Sequence, residues 1–449
     1  MKQQKRKSLE EADVRRLLGE ISAPGSIADF TRSLHSAFGN IIRRRAEIPS
    51  DSLPFQCDEI PWYELGARPS SPSARPTRTL DYATANYFVQ DAGSLLALAV
   101  ANAEKKAKTK LQVCDLCASP GGKASALLEH LSGTNGFLLA NEVIRSRVAP
   151  LAVNLARTGS DRYAISSLDP DQLADRLAGV FDLVLIDAPC SGQAMFSRGK
   201  QSRSAFSDQQ IEHSAARQRR ILDAAVKLLK SGGQLVYSTC TFAYSENEAQ
   251  IERLLSVGVA ETTQCSRLRD YQSADGCYRL WPHQHQCAGA FAGSMQIQSE
   301  HLPQTIHRFK RSREKPLVEL STWYENGMDD LRFKQTSANL VAWPSNAPEW
   351  TEKIACGGPE LAYRTGNTWK PAHFGALRRC VSALPIQHVD VDEKLANDFL
   401  QGQTIATEIK DWAVVLFKNR PLGWIKGSRG IGKNHLPGYA RFNGPLTAR

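Results

Sequence analysis

The chain has 449 residues, 42% hydrophobic and 8% aromatic, a composition of packed globular domains that excludes a wholly disordered or fibrous protein. That length exceeds what one core serves and points to two or three domains. With 56 basic and 46 acidic residues the net charge is +10, which fits a polyanionic partner and fits a merely basic surface equally well.

No run reaches the roughly 20 apolar residues of a membrane helix. The basic N-terminus leads into a helical pattern with no apolar leader segment behind it, so the expected location is cytoplasmic with no membrane partner. The ten cysteines read as reduced thiols. In chain order, a helix is predicted over 8–20, an aromatic turn at 61–63, a loop at 70–76, extended structure leading to Asp91 and a helix over 92–106. Five short apolar strands follow at 111–115, 136–142, 163–166, 181–187 and 234–238. Helices lie between them, among them 145–158 and 207–230, the latter closed by Gly232 and Gly233. This alternation predicts a doubly wound, Rossmann-like α/β domain, whose ligands bind at the carboxyl ends of the strands. Two extended pieces around Pro282 would add antiparallel strands at a sheet edge, and 300–320 has the charge density of an exposed linker. The expected division is an N-terminal α+β extension that holds RNA (1–90), a catalytic domain (91–304), a middle domain (305–385) and a terminal domain (386–449).

The strand-end loops carry the chemistry. After the first strand come Cys117, Ala118, Ser119, Pro120, Gly121, Gly122 and Lys123, opening a helix. The glycines admit a ligand close to the backbone, and the helix start offers free N–H groups. The segment is neither the dinucleotide GxGxxG nor a GxxxxGK[ST] phosphate loop. Glu142 ends the second strand, where an acid takes a ribose hydroxyl pair in nucleoside-binding folds. Together they suit an adenosine ligand without pyrophosphate, such as S-adenosylmethionine; singly, a tight turn and a solvated strand end fit as well. Asp187-Ala-Pro-Cys190-Ser-Gly follows the fourth strand and Tyr237-Ser-Thr-Cys240-Thr-Phe the fifth. Each sets a cysteine at the ligand edge. A thiolate there is a nucleophile and the Asp187 carboxyl can hold or protonate a heterocycle, whereas a buried cysteine can also be an inert apolar residue.

In this order and spacing the three segments resemble the signatures of the RNA 5-methylcytosine methyltransferases, the Nop2/Sun family. Residues 87–91 and 279–283 are similar to that family's lead-in and closing strands. The resemblance implies a class I S-adenosylmethionine-dependent methyltransferase fold, with Cys240 as the nucleophile on C6 of cytosine and Cys190 assisting breakdown of the adduct. It also implies that the methyl donor is held by residues 117–123 with Glu142, Asp169 and Asp187, and that Asp187 faces the cytosine. The chemistry demands such a set: thiolate addition at C6 moves electron density onto C5, and a partner at N3 stabilises the charge created. Ser119 and Ala124 depart from the family's alanine and threonine, and the run after Gly192 lacks a usual lysine. Arg198, Lys200 and Arg203 supply cations there, as phosphate contacts or as a solvated basic loop.

Two metal-like patterns are read as structural: the lone CxxC of Cys114 and Cys117, and the group Cys277, His283, His285 and Cys287. No metal is expected. Ser245 to Glu248 reads as a capping box. Beyond Asp411 the chain has no acidic residue, and basic residues alternate with Trp412, Phe417, Trp424, Tyr439 and Phe442. Cations for phosphates and rings for unpaired bases are the footprint of RNA binding, the other reading being a basic domain that only packs on its neighbour. Residues 423–427 and 432–437 resemble the PUA-like RNA-binding module of bacterial small-subunit ribosomal RNA methyltransferases of the F type. The expectation is a monomeric enzyme acting on small-subunit ribosomal RNA and not on DNA. The alternatives are the same chemistry on transfer RNA and a non-catalytic ribosome-assembly factor.

Overall fold

The computed structural model describes the chain except residues 1–8, 20–24, 104, 106–109, 299–317, 326–327, 380–382 and 447–449, and the described residues form four sheets in chain order. Most of the predicted linker at 300–320 therefore lies outside the described residues. Helices α1 (Glu11–Leu18) and α2 (Ile27–Ser33) come first. Strands β1 (Ile41–Arg44), β2 (Cys57–Glu59), β3 (Gly66–Pro69) and, after the short helix α3 (Leu80–Ala83), β4 (Tyr87–Gln90) make an antiparallel sheet.

The central sheet begins after α4 (Leu95–Val100) and contains β5 (Gln112–Asp115), β6 (Phe137–Asn141), β7 (Tyr163–Ser166), β8 (Phe181–Asp187) and β9 (Leu229–Thr239). These five are mutually parallel in the order β9-β8-β5-β6-β7. Their sequences are near-continuous apolar runs because both faces are covered. Helices α5 (Gly122–His130) and α6 (Val148–Ala156) bury Leu127, Leu151 and Leu155 on the face that also receives α4. On the other face α7 (Pro170–Leu177), α8 (Asp208–Leu228) and α9 (Glu248–Ser256) bury Leu173, Ile221 and Ile251. The strand order reverses between β5 and β8, and a doubly wound sheet binds ligands at that point.

The predicted antiparallel addition is present: β12 (Cys277–Leu280) pairs with β13 (Ala290–Ile297), which lies against β9, and β10 (Ala260–Thr262) and β11 (Gln272–Ala274) extend it. Around Pro282 the chain makes a helical turn, Pro282–His285. The helix predicted over 92–106 is shorter than expected because Asn102 adopts a left-handed φ of 54°, which ends it. Gly232 and Gly233 do not close a helix. α8 runs directly into β9, and the glycines sit where the β8–β9 register shifts, Gly232 having φ 71°.

Strands β14 (Leu331–Gln335), β15 (Asn339–Pro344), β16 (Glu360–Thr365) and β17 (Thr368–Pro371) form an antiparallel sheet that covers the free edge of β7. Trp343 Nε1 donates to the Tyr163 carbonyl at 2.8 Å, and Ile165 N donates to Gly357 O at 2.9 Å, so the edge is capped. The last sheet holds β18 (His388–Asp390), β19 (Ile405–Ala406), β20 (Asp411–Phe417), β21 (Arg420–Ser428) and β22 (Ile431–Asn434). Among the described residues no helix is long and apolar enough to cross a membrane.

Candidate active site

Parallel pairing of β8 and β9 sets Asp187 opposite Ser238, so the loops that follow leave the sheet side by side. They bring Cys190 Sγ to 3.3 Å from Cys240 Sγ. Three buried polar side chains hold the two loops together. Glu246 accepts from Ser191 N at 2.9 Å, from Gln218 Nε2 at 2.9 Å and from the Thr241 hydroxyl at 3.3 Å. Gln193 accepts from Phe242 N at 2.8 Å and donates to Ala205 O at 3.1 Å, while Ala194 N donates to Cys240 O at 3.0 Å. None of these supports was read from the sequence, because most join residues distant in the chain. The hydrogen bond to Cys240, followed by burial, pushes the Cys190 thiol well above its ordinary value. The two thiols share one hydrogen bond, and either sulfur can donate it.

The expected capping box is absent. Asn247 occupies the N-cap of α9 without a side-chain cap, and Glu248 accepts instead from Arg279 Nε at 2.6 Å and from Ser273 Oγ at 2.8 Å. Arg279 Nη1 donates to Phe242 O at 3.0 Å, so this buried pair fixes the Cys240 loop from below.

On the neighbouring strand, Gly121 is the N-cap of α5 with φ 111°, and a Cβ there would lie 3.0 Å from Asn154 Cβ. Only glycine suits that position. Ser119, a departure from the family pattern, donates to Arg147 O at 2.9 Å while Arg147 Nη2 returns a bond to Ser119 O at 2.7 Å. Lys123 Nζ lies 2.7 Å from Asp187 Oδ2, and Ser238 Oγ donates to Asp187 Oδ1 at 3.1 Å. Burial works against the Lys123 charge, but Asp187 and Asp115 outweigh it and hold its ammonium above the ordinary value. Glu142 is buried, accepting from Ile144 N at 2.9 Å with Arg147 at 3.4 Å. Asn141 ties three strand ends: its amide donates to Leu116 O at 3.3 Å and Leu168 O at 3.0 Å, and its oxygen accepts from Ser166 Oγ at 2.7 Å. Asp169 stands apart from this cluster in its bonding, capping α7 through Asp171 N at 3.1 Å and pairing with Arg220 at 3.0 Å.

The chain is 30% identical over 421 residues to the ribosomal RNA small subunit methyltransferase F of Klebsiella pneumoniae (strain 342), a match that covers 88% of this chain and 87% of that protein. The family model for 16S rRNA methyltransferase RsmB/F matches residues 100–296. The chain belongs to the RsmB/F methyltransferase family. A second model, the methyltransferase RsmF PUA domain, matches residues 386–442 of this RsmB/F member. The protein of the same name from Serratia proteamaculans (strain 568) is 25% identical over 410 residues, covering 85% of this chain and 83% of its own. Two solved structures from Pyrococcus horikoshii share the fold. One, NSun6, has a TM-score of 0.55 at 18% identity over 63% of this chain and 97% of that one. The other, a methyltransferase homolog protein, has a TM-score of 0.52 at 22% identity over 64% and 99%.

Like its family, this RsmB/F member is S-adenosylmethionine-dependent, and its residues fit that donor. The start of α5 is paved with Gly121 and Gly122, Glu142 directly follows β6 and accepts from Ile144 N, and the buried Asp115 Oδ2 has no hydrogen-bond partner among the described residues. Burial, then the nearby Asp187, pushes the Asp115 carboxyl up to about 7 from a reference of 3.8. Between those values the folded chain holds a proton that the unfolded chain has released, so this group lowers stability as pH rises through the window. Asp115→Asn flattens that decline. Its melting temperature at pH 8 should exceed the wild-type value by about 2–4 °C, with the two converging near pH 4, as scanning calorimetry across pH would show.

The structure adds to two of the expectations. Arg198 pairs with Asp91 and Arg203 with Asp13 at 2.8 Å, while Lys200 is exposed. Of the tail aromatics, Trp412 and Trp424 lie in the core shared with the middle sheet and Phe417 in the core beneath α3, because β20 and β21 turn those faces inward. They cannot stack on bases. Among the described residues no group of three His, Cys, Asp or Glu side chains is placed to hold a metal ion.

Proposed function

We propose that this methyltransferase makes 5-methylcytosine in small-subunit ribosomal RNA, with Cys240 as nucleophile and Cys190 as the group that releases the product. The observation that carries this reading is the sulfur pair at 3.3 Å, presented beside Asp187 at the carboxyl ends of β8 and β9. Membership of a family whose curated relatives are named for the small subunit, together with a PUA domain at 386–442, supports ribosomal RNA as the substrate.

Residues 117–123 and Glu142 would hold S-adenosylmethionine, with Asp169 at the next strand end. When bound, it supplies an electrophilic methyl group on a sulfonium sulfur. Cys240 loses its proton to water, and the thiolate adds to C6 of the cytosine, forming a C–S bond and moving the C5–C6 π pair toward C5. Asp187, held by Lys123 and Ser238, faces the N3 edge, and the Lys123 ammonium offsets the charge that addition places there. Once Cys240 is bonded to carbon and C5 carries the transferred methyl group beside its hydrogen, Cys190, its own thiol proton given up to water, is the base in its thiolate form. It then takes the C5 proton. The C–H pair restores the C5–C6 double bond, and Cys240 leaves as a thiolate. The N-terminal extension and the terminal domain hold the RNA in this reading.

The test is a map of 5-methylcytosine by bisulfite sequencing of RNA from cells with and without the gene. One small-subunit cytosine should lose its methyl group when the gene is absent. An unchanged map overturns the proposal, and a lost site in transfer RNA moves the substrate.

A further inference from the structure

Two aromatics of the tail escape the core. Tyr439 is 60% exposed and Phe442 half-buried, and both line a cavity of about 290 Å³ where the terminal domain meets α3, α6 and the segment after β17. Its volume is just below the ~300–1,000 Å³ range of small-ligand sites. Tyr82 and Phe374 complete the aromatic walls, with ring centroids 6.3 Å from Phe442 and 6.3 Å from Tyr439 respectively. The charge is one-sided. Arg157, Arg379 and Arg441 line the cavity, and no Asp or Glu does among the described residues.

Of the three, only Arg379 carries buried N–H groups with no partner among the described residues. Arg157 donates to Tyr82 O at 2.6 Å and lies over the Tyr82 ring at 4.5 Å. Arg379 Nη2 donates to Thr84 O at 2.6 Å, but its Nε and Nη1 are buried without a partner among the described residues. Burial, then Arg45 and Arg420, lowers this guanidinium to about 9, with Glu47 and Glu129 acting in the opposite direction. Unpaired guanidinium N–H groups suit a phosphate oxygen, and flat aromatic walls suit a base. Asn154, on the same wall, donates to Pro120 O at 2.7 Å, so the cavity adjoins the 117–123 loop.

We propose that this cavity captures one nucleotide of the RNA substrate, its phosphate on Arg379 and its base against Tyr439. The inference rests on the RNA-methylating function proposed above and assigns a second RNA contact away from the cysteine pair. The test is ultraviolet cross-linking of the full chain to a small-subunit ribosomal RNA fragment, with the modified peptides identified by mass spectrometry, alongside binding titrations. A nucleotide adduct is expected on Tyr439 or Phe442. Tyr439→Ala should weaken RNA binding about tenfold while Tyr439→Phe retains it, the scale of one lost base stack. Arg379→Gln should lower the slope of log affinity against log salt by about 0.7, one phosphate contact to single-stranded RNA. Should Arg379→Gln fail to fold, the exposed Tyr439 pair still decides. Wild-type methylation of the RNA combined with unaltered binding by Tyr439→Ala, and no cross-link at 439–442, overturns this site alone. A wild-type chain that neither binds nor methylates the RNA overturns the proposed function and this site together.

Discussion

Cys190→Ala should accumulate an RNA–protein adduct that survives denaturing electrophoresis, whereas Cys240→Ala should form none and lose at least ~10⁴-fold in turnover, the scale of a deleted nucleophile. The asymmetry follows from the proposed roles. The hydrogen bond shared with Cys240, together with burial, raises the Cys190 thiol above its ordinary value, and in the proposed division of labour Cys240 is the nucleophile. Removing Cys190 leaves addition and methylation possible but takes away the base that lets the C5 proton go. The adduct then persists. Removing Cys240 leaves Cys190 without its hydrogen-bond partner, yet its sulfur emerges from the β8 loop and not the β9 loop. An adduct on Cys240→Ala and none on Cys190→Ala would exchange the two roles, and absence of any adduct from both variants would dismiss covalent catalysis. Labelled RNA, denaturing gels and methyl transfer measured on the same samples make the three outcomes distinct.

What the sequence made legible was local and periodic. β7 and β8 have the bounds their apolar runs predict, since parallel strands buried on both faces leave no ambiguity of period. The cysteine loops follow because each cysteine sits within a few residues of the end of an apolar run. What was not legible depends on who faces whom across the fold. Glu246, Gln193 and Gln218 read as ordinary polar residues, and their role as clamps exists only once α8 and the two loops converge. The Cys277 to Cys287 group looks like a ligand set within eleven residues, yet Cys277 packs in the core on one side of the sheet and Cys287 in the core on the other. Tail composition could not separate stacking rings from core rings either. Trp412 and Trp424 sit on adjacent strands with their rings 6.3 Å apart, and only Tyr439 and Phe442, beyond the last strand, are left facing a cavity.

Arg279→Met should cost about 3–5 kcal/mol of folding stability, because it strands the Glu248 carboxylate in a protein interior. Both partners are almost fully buried, at 2% and 6% side-chain exposure. Few surface pairs approach that cost, since water screens them and the side chains pay entropy to meet. The carboxylate would retain Ser273 Oγ at 2.8 Å, too little to replace a bidentate guanidinium. Phe242 O would lose its donor as well, and with it the loop that carries Cys240 loses an anchor. Catalysis should therefore fall with stability in this variant. Adding Glu248→Leu removes the stranded charge and should restore a large part of the folding free energy without restoring the bond to Phe242. Urea unfolding of the two variants separates the effects. A single variant within about 0.5 kcal/mol of wild type would mean that the pair is solvated, and a double variant no better than the single one would assign the loss to packing and not to charge.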